Sequence, residues 1–585
     1  MSSHVRALAA RLGELDDAQL IALLTARAAP HTARWADAFD AAEWLLDAAS
    51  LARALAQLTR SELETLAAAA SAGTAVPAEV RPTLEALALI DEAGVLYGPV
   101  AEQVAAWAAS DAAGTTPDAA TAASDTDSDA DTAATAERAF TSVGALGDIL
   151  IETLATPLTR IVSGTIGAND RRRLAEDAAP HAADIDALIA LAVGTELLTL
   201  VGRHWLVTPQ GSQWMRLPTL ERWVSVARAW RATLPRGIRV ESDARTWRTA
   251  YPADATWPAR AEALRAQAEA WGLVTADGIE TTWAALLWAD PDGDAAAARE
   301  ALGALLPSEV DTVYLQNDLT AIAPGPLAPT LDLRLRTMAR RESHAQASTY
   351  RFTAETIAAA VTAGETAESM RSFLASISIT GVPQPLDYLI TSAAGRHGMV
   401  RVQALDAPPR EPGGRALRTL ITTDEPALLE TLLVDQSLQP LGLAPGEGGL
   451  ESRAARDVVY WSLIDARYPA AALDEAGAIE PLHRNKIAVA PAPELSPAEA
   501  YAPLVTALRN APPLESDDAW LARDLEIAVR ARETLTLVVA LPGGEHREFT
   551  MELTGIGGGR VRGRDKQADL ERTLPLSSIT AVRRE

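Results

Sequence analysis

Apolar residues recur at helical spacing over the first 110 residues, and polar residues suited to helix capping separate the apolar runs. Asp16 or Asp17 can cap the run that starts at Ala18. Residues 59–62 (TRSE) form a capping box, in which the first and fourth side chains each satisfy a backbone amide, and they predict a further helix. We therefore predict a helical, winged-helix-like domain over residues 1–110.

The pattern changes between residues 111 and 138, where Asp, Thr, Ala and Ser dominate and large apolar side chains are almost absent. Such a segment buries too little apolar surface to offset the entropy that ordering costs. We expect a disordered acidic linker over residues 111–138.

One pattern occurs three times in the first half of the chain. A helical run ends in a small turn, and short apolar strands follow on either side of a polar tip, over residues 84–97, 185–208 and 261–283. A helix that closes into a two-stranded wing is the end of a winged-helix unit. The repeat predicts two or three such modules, and we assign residues 139–300 to one or more winged-helix-like domains.

Residues 306–410 have the most regular pattern and are predicted to form one α/β domain. The expected elements are strands at 313–315 and 320–323, helices at 353–362, 366–375 and 385–396, and a closing strand at 399–402. A small α/β domain is expected over 411–485, and a proline-rich linker with one helix over 486–529.

The C-terminal residues change to a period of two, which is typical of strands. Runs at 534–541 and 546–553 flank the sequence PGGE, whose residues favour a hairpin turn. Two further short strands, around 560–564 and 579–583, would complete a small β-barrel over 530–585. The whole chain is predicted to be a multidomain α+β protein, mainly α with small β parts.

The composition excludes several kinds of active site. The 585 residues contain no cysteine, which removes disulfides, thiolate zinc sites, iron–sulfur clusters and cysteine nucleophiles. Neither of the two lysines, Lys486 and Lys566, follows a glycine, so there is no phosphate loop of the form G-x-x-x-x-G-K-[ST]. No two of the eight histidines lie within five residues of each other, and no G-x-S-x-G motif is present. We expect a non-enzymatic protein without catalytic residues, metal or cofactor.

The formal net charge of the chain is −26, from 52 lysines and arginines and 78 carboxylates. This charge argues against non-specific binding of nucleic acid by the whole surface, but it allows a local basic site. No run of about 18 apolar residues is free of charge, and the first 20 residues do not resemble a signal peptide. We expect no membrane contact and a cytoplasmic location, with association with the nucleoid included.

Three clusters of basic residues are candidates for contacts with DNA phosphates. They are Arg171, Arg172 and Arg173; Arg334, Arg336, Arg340, Arg341 and Arg351; and Arg560, Arg562, Arg564 and Lys566. The first lies in a region, residues 151–240, with 11 arginines against 8 carboxylates, and its cations would oppose a helix dipole. The second is spaced so that several members share a helix face, and the third alternates along one face of a strand. Solvated surfaces or local ion pairs are the alternative interpretation of the first two.

Nine of the 14 tryptophans fall between Trp205 and Trp288, and two interpretations are open. They can stack on single-stranded bases, or they can pack in a core. The i, i+7 spacing of Trp223 and Trp230 places both on one helical face, which favours the core.

Three stretches between residues 311 and 404 match a known family. They read VYLQNDLTAIAPGPLAP, YRFTAETIAAAVTAGETAESMRSFLASIS and VPQPLDYLITSAAGRHGMVRV. They resemble the N-terminal accessory domain of XPB-type helicases, and in particular that of actinobacterial helicase-associated proteins that have this domain without the motor. The upstream sequence SGTIGANDRRRLAE resembles the glycine-rich entry to a winged helix in the same family.

The C-terminal sequences LTGIGGGRVRGRD and ERTLPLSSITAV resemble a second family, the Sm-like barrel of WYL-type domains. In that family an arginine just before the isoleucine of the final strand often contributes to ligand or nucleic-acid binding. Here Ser578 stands before Ile579, so we do not transfer that site to this chain. The resemblances imply an XPB N-terminal-like α/β domain over 306–410 and a small Sm/WYL-like barrel over 530–585.

The function implied by these resemblances is that of a non-enzymatic, helicase-associated accessory protein. It would bind duplex or forked DNA through its winged helices and C-terminal barrel, and act with a separate XPB-like ATPase in DNA repair or transcription. Two alternatives stay open. One is a WYL-type transcriptional regulator whose barrel senses a ligand, and the other is a protein-interaction scaffold without nucleic-acid contact.

Overall fold

The computed structural model of the chain falls into two compact units. One comprises Met1–Ala120, Tyr251–Ala255 and Pro493–Glu585, and the other Thr121–Ala250 and Thr256–Ala492. The structure describes residues 2–114, 129–162, 164–177, 182–239, 243–342, 347–407, 416–474, 476–480, 482, 487–489, 495–510, 521–522, 525–526, 528–529, 532–541 and 545–584. Within these residues, no helix is both long enough and apolar enough to cross a membrane.

Helices form the N-terminal part of the first unit. They are α1 (Ser2–Glu14), α2 (Asp17–Ala26), α3 (Ala38–Leu46), α4 (Ala48–Leu55), α5 (Arg60–Ala72), α6 (Arg81–Ala86) and α7 (Gly98–Gly114). Their leucines share one core. The predicted caps are confirmed: Asp16 accepts a hydrogen bond from the Gln19 amide, and Thr59 and Glu62 form a capping box at the start of α5.

The second unit begins with a small helix-and-strand module. Its elements are α8 (Asp129–Ala155), β1 (Leu158–Thr159), α9 (Ala168–Asp177), α10 (Ala182–Gly194), β2 (Leu198–Val201) and β3 (His204–Val207). The strands form an antiparallel sheet in the order β1-β3-β2. The hairpin predicted within residues 185–208 is therefore confirmed. The other two copies of the repeat each have a single antiparallel bridge where the hairpin was predicted. These bridges pair Ile90 with Leu96 and Val274 with Glu280.

The prediction of disorder over 111–138 is wrong for residues 111–114, which end α7, and for residues 129–138, which begin α8. Residues 115–128 of that predicted linker lie outside the described residues. The first turns of α8 pack through small groups: Thr135, Ala136 and Ala139 are buried, and a Cβ on Gly272 would lie 2.7 Å from the Ala139 side chain. Close packing of small side chains stabilises this end of α8, although few large apolar residues are present.

The tryptophan-rich region follows as a set of helices. They are α11 (Pro209–Trp214), α12 (Thr219–Thr233), α13 (Arg236–Arg239), α14 (Trp257–Ala270), α15 (Thr282–Ala289) and α16 (Ala296–Gly303). Trp223 and Trp271 are buried, and the indole N–H of each donates to the backbone carbonyl of the other, over 2.9 and 3.1 Å. Trp283 is also buried and donates to the Gly272 carbonyl. The core interpretation is confirmed for the seven buried tryptophans, Trp214, Trp223, Trp230, Trp247, Trp257, Trp271 and Trp283, whereas Trp205 and Trp288 are half-buried.

An α/β layer follows in the second unit. Its elements are β4 (Tyr314–Leu315), β5 (Thr320–Ala323), α17 (Pro329–Met338), β6 (Arg340–Arg341), β7 (Ser348–Arg351), α18 (Ala354–Thr362), α19 (Ala367–Ile377) and α20 (Gln384–Arg396). The strands are antiparallel in the order β4-β5-β7-β6. Both predicted strands and the three predicted helices are confirmed, and Phe352, Leu374 and Ile390 lie in their shared core. Strands β6 and β7 were not predicted from the sequence, and a helix near α17 was implied only by the spacing of the arginines.

A second sheet completes this unit. Its elements are β8 (Val400–Ala407), β9 (Leu417–Thr423), α21 (Pro426–Val434), β10 (Ala444–Gly446), β11 (Gly449–Ser452), α22 (Arg456–Asp465) and β12 (Ala470–Leu473). The strand order is β10-β11-β9-β8-β12, and β8 and β12 are its parallel pair. The strand predicted at 399–402 was expected to close the preceding layer, but it is the start of β8. Val400 and Val402 are buried in the core of the second sheet.

The C-terminal part of the first unit has one helix and a sheet. The elements are α23 (Pro497–Asn510), β13 (Thr534–Ala540), β14 (His546–Gly557), β15 (Arg560–Asp565), β16 (Leu570–Pro575) and β17 (Ile579–Arg584). The strands are antiparallel in the order β16-β15-β14-β13-β17. The predicted hairpin is present as β13 and β14, and β16 is an additional strand. The described strands form an open sheet, so the closed barrel stays a prediction.

Helix α23 packs on the N-terminal helices of the same unit. Ser496 and Glu499 cap the start of this helix, which the sequence predicted within 486–529: the Ser496 amide donates to the Glu499 carboxylate over 2.8 Å. The buried Tyr501 hydroxyl donates to the Ala29 carbonyl over 2.6 Å. This hydrogen bond joins residues that are 472 positions apart in the sequence.

Replacing Tyr501 by phenylalanine is expected to destabilise the first unit by about 1 kcal/mol, because the buried Ala29 carbonyl loses a donor. Urea unfolding of the full chain, followed by circular dichroism, measures the change. The control is Thr506→Val, on the exposed side of α23, whose hydroxyl bonds only within the helix. An unchanged midpoint for Tyr501→Phe would contradict this role of the hydroxyl.

Candidate nucleic-acid interface

The arginine triplet lies in the first turns of α9, as predicted, and two of its members have carboxylate partners. Arg171 pairs with Asp186 at 2.7 Å, and Arg173 pairs with Asp170 at 3.1 Å and with Glu152 at 3.7 Å. The Arg172 side chain is exposed and makes no ion pair or hydrogen bond within the described part of the chain. Arg172 is therefore the member of the triplet that is open to an outside anion.

Helix α10 is poorly suited to reading bases. In a helix-turn-helix arrangement the second helix enters the major groove and contacts base edges through arginine, lysine, asparagine or glutamine. The sequence of α10, AADIDALIALAVG, has none of these residues and includes two aspartates. Helix α10 therefore has no side chain suited to direct base readout.

Two exposed arginines that we did not select from the sequence lie on the same module. Arg160 follows β1, and Arg203 lies in the turn between β2 and β3. The Arg160 amide donates to the Arg203 carbonyl over 2.9 Å, so the two residues are neighbours. Neither side chain has a polar partner among the described residues. For Arg203 the sequence did contain a signal: it lies in VGRH, at the tip of the predicted wing, where a turn exposes its side chain.

The second arginine cluster does not share a helix face. Arg334 and Arg336 lie on α17, Arg340 and Arg341 form β6, and Arg351 lies on β7. Arg334 and Arg336 are two residues apart on α17, so they lie on different sides of the helix. Arg334 forms a two-point contact with Glu365, over 2.9 and 3.1 Å, and its guanidinium lies 4.5 Å from the Phe373 ring centroid. Arg351 pairs with Glu342 at 2.6 Å.

Arg336 and Arg341 both pair with Asp148 of α8, which is 6% exposed. Arg336 also lies 3.7 Å from Asp332, whose carboxylate accepts a hydrogen bond from the Tyr350 hydroxyl. Burial disfavours the charged form of Arg336, but the Asp148 and Asp332 carboxylates outweigh it and raise the pKa of this guanidinium. Within the second unit, these two arginines therefore join α8 to the α/β layer.

The third cluster forms a row on the exposed face of the C-terminal sheet. We call Arg560, Arg562, Arg564 and Lys566 the cationic row. Along β15 exposed residues alternate with buried ones, and Arg560, Arg562 and Arg564 occupy the exposed positions, as the period of two predicted. Lys566 is also exposed. Arg560, Arg562 and Lys566 make no ion pair through their side chains within the described residues, whereas Arg564 pairs with Asp569 at 2.7 Å.

The two ends of the cationic row differ in their neighbours across the sheet. Arg564 lies opposite Glu552 on β14 and Glu571 on β16. Arg562 lies opposite Gly555 and Thr573, and Arg560 lies opposite Gly557 and Pro575. The Arg560–Arg562 end therefore carries positive charge without a facing carboxylate, which favours contact with an outside polyanion.

A buried carboxylate supports the turn that follows the row. Asp565 is 4% exposed, accepts from the amides of Gln567 and Ala568, and pairs with Arg572 at 2.6 Å. The hydrogen bond from Arg572 holds the pKa of Asp565 below its ordinary value. The contacts fix the turn that begins with Lys566.

Replacing Asp565 by asparagine is expected to lower the melting temperature at neutral pH. A carboxylate whose pKa is depressed in the folded state stabilises that state above its unfolded pKa, and this contribution is lost as the pH falls through the folded value. The difference between wild type and Asp565→Asn should therefore shrink as the pH falls below about 4. Melting curves at several pH values measure this, and a difference that does not depend on pH would contradict the assignment.

In a comparison with known protein families, one segment of the second unit matches a family model. A family model described as "Helicase conserved C-terminal domain" matches residues 313–445, which is less than a quarter of the chain. The match spans the α/β layer from β4 to α20 and continues into the second sheet as far as β10. No curated protein shows significant similarity to the sequence. The match supports a helicase-associated protein.

Proposed function

We propose that the protein is a non-enzymatic, helicase-associated DNA-binding protein, which acts with a separate XPB-like ATPase in DNA repair or transcription. The observation that carries the proposal is the cationic row. In a chain with a net charge of −26, Arg560, Arg562 and Lys566 are exposed and lack a carboxylate partner among the described residues. Unpaired cations that follow one strand face suit a phosphate backbone. The helicase-type match supports the link to a helicase.

The sequence and the sheets support the non-enzymatic part of the proposal. A phosphate loop joins a strand to a helix in a parallel α/β sheet, and its lysine contacts the β- and γ-phosphates. The 585 residues have no such loop. The sheets in the described part of the chain are antiparallel except for the pair β8 and β12. We infer that a partner supplies ATP hydrolysis.

Arg160, Arg172 and Arg203 of the second unit form the proposed second contact. Their side chains are exposed and have no partner among the described residues. Since α10 has no base-reading side chain, we expect this module to bind the DNA backbone with little dependence on sequence.

The test is fluorescence anisotropy of the full chain with labelled duplex, forked and single-stranded DNA, over about 50–200 mM salt. We expect binding that weakens as salt increases, and no ATPase activity until an XPB-like helicase is added. ATPase activity of the pure chain would contradict the non-enzymatic assignment. Absence of binding at about 50 mM salt would favour the scaffold. Ligand-dependent binding to one defined operator only would favour the WYL-type regulator.

A further inference from the structure

Two glycines of β14 lie beside the unpaired end of the cationic row. Gly555 is opposite Arg562, and Gly557 is opposite Arg560. Directly opposed residues of an antiparallel pair project to the same face, so the positions beside both arginines have no side chain. Beyond Leu553, β14 has β15 as its strand partner within the described sheet.

Neither position needs glycine for a left-handed backbone or for lack of space, although the register of β14 against β15 shifts at a β-bulge between Leu553 and Gly555. The hairpin turn does require glycine at Gly558 and Gly559, where φ is +59° and +72°. Gly555 and Gly557 do not have positive φ, and a Cβ at either would meet no atom within 4 Å. Gly563, by contrast, has no room for a side chain, because its Cβ would lie 2.6 Å from the Glu552 carbonyl oxygen.

Glycine inside a strand loses more conformational freedom on folding than other residues, and it marks places where another backbone approaches closely. Neither a positive φ nor crowding explains glycine at 555 or 557, and the β-bulge adjoins Gly555 but not Gly557. Together the two positions leave a shallow strip of bare main chain beside Arg560 and Arg562.

We propose that this strip holds the sugar–phosphate backbone of one extended DNA strand, with Arg560 and Arg562 on successive phosphates and the sugars above Gly555 and Gly557. The proposal rests on the DNA-binding function proposed above and adds the form of DNA that this face takes. Side chains two residues apart on a strand are separated by about 6.7 Å, close to the spacing of successive phosphates along a single strand. Both arginines can therefore contact one strand, and a flexible single strand can lie along this exposed face.

The composition of the face also indicates how selective this contact is. Among the described residues of β14, β15 and β16, the exposed face has no tryptophan, tyrosine or phenylalanine beside the row. Bases therefore have no aromatic ring to stack on at this face, and the phosphate contacts made by the arginines carry no sequence information. We expect binding that depends on the backbone and is nearly independent of base sequence.

The test uses the full chain with Gly555→Val and Gly557→Val, and Gly555→Ala and Gly557→Ala as smaller changes. A β-branched side chain favours a strand, so the melting temperature should stay level or increase. The affinity for single-stranded DNA should nevertheless decrease, by about tenfold for each valine variant, since the backbone can no longer approach the arginines. A change that stabilises the fold and weakens binding cannot be explained by damage to the sheet.

The matched control is Ala581→Val, which adds similar bulk to the exposed side of β17, at the opposite edge of the sheet. Its affinity for DNA should equal that of wild type. Wild-type affinity in the glycine variants, with normal binding by the wild-type chain, would overturn this inference and leave the proposed function standing. Equal affinity of wild type for single-stranded and blunt duplex DNA would overturn the assignment to one extended strand. Absence of DNA binding by the wild-type chain would overturn the proposed function as well.

Discussion

Replacing Arg560 and Arg562 together by glutamine is expected to weaken DNA binding by about 30-fold, because each arginine–phosphate hydrogen bond contributes roughly 1 kcal/mol to the binding free energy. Glutamine keeps most of the side-chain length but removes the charge. Each arginine that neutralises a phosphate releases counterions from the DNA, so the slope of log affinity against log salt should also become shallower, by about 1.4 for single-stranded DNA. Both quantities come from one anisotropy series over a range of salt concentrations.

The control for this pair is Arg564→Gln, in the same row. Arg564 already pairs with Asp569 and lies opposite Glu552 and Glu571, so its charge is largely compensated. We expect a loss of affinity several times smaller than that of either Arg560→Gln or Arg562→Gln. Equal losses at all three positions would show that only net charge matters, and no loss at Arg560 and Arg562 would remove the row from the interface.

Replacing Asp148 by asparagine is expected to destabilise the second unit by about 3 kcal/mol, because removing one partner of a buried ion pair leaves a poorly compensated charge, although Asp332 stays 3.7 Å from Arg336. Here the Arg336 and Arg341 guanidinium groups both lose their charged partner on α8. Urea unfolding followed by tryptophan fluorescence reports on this unit, since nine of the 14 tryptophans lie between Trp205 and Trp288.

The matched control is Asp186→Asn, which removes the carboxylate partner of Arg171 on an exposed surface. Exposed ion pairs contribute little, so we expect a change of about 0–1 kcal/mol. A loss for Asp148→Asn as small as that of the control would contradict the structural role of the cluster. It would also return Arg336 and Arg341 to the set of candidate DNA contacts.

Local signals in the sequence predicted local structure well. The capping residues Asp16, Thr59 and Ser496 each stand at the start of a helix. The alternation of arginines over 560–564 predicted their common face, because the side-chain period of a strand is two. These features depend on residues a few positions apart, whose geometry is fixed once the element forms.

The features that the sequence did not reveal depend on distant residues or on weak patterns. Arg336 looked like a surface cation, but its partner Asp148 lies 188 positions away and is brought close only by the fold. Strand β16 was missed because its residues, LERTLP, are exposed or half-buried, and of its two leucines only Leu574 packs against the core of the sheet. The start of α8 looked disordered because its buried residues are small.

The candidate interface was predicted in part. The cationic row was visible as a charged period-two run, but its division into an unpaired end at Arg560 and Arg562 and a compensated end at Arg564 requires the strand register. In the sequence, the glycines of β14 form one run with the turn glycines, GIGGG over residues 555–559. Only the register places Gly555 and Gly557 beside the arginines and separates them from Gly558 and Gly559, which form the turn.

The most direct test of DNA binding by this face is photo-crosslinking of the full chain to single-stranded DNA that carries a reactive base analogue, followed by mass spectrometry of the linked peptides. We predict crosslinked peptides that contain residues 554–566, and their loss in the variant with Arg560 and Arg562 replaced by glutamine. Crosslinks confined to other parts of the chain, or unchanged crosslinks in that variant, would contradict the account.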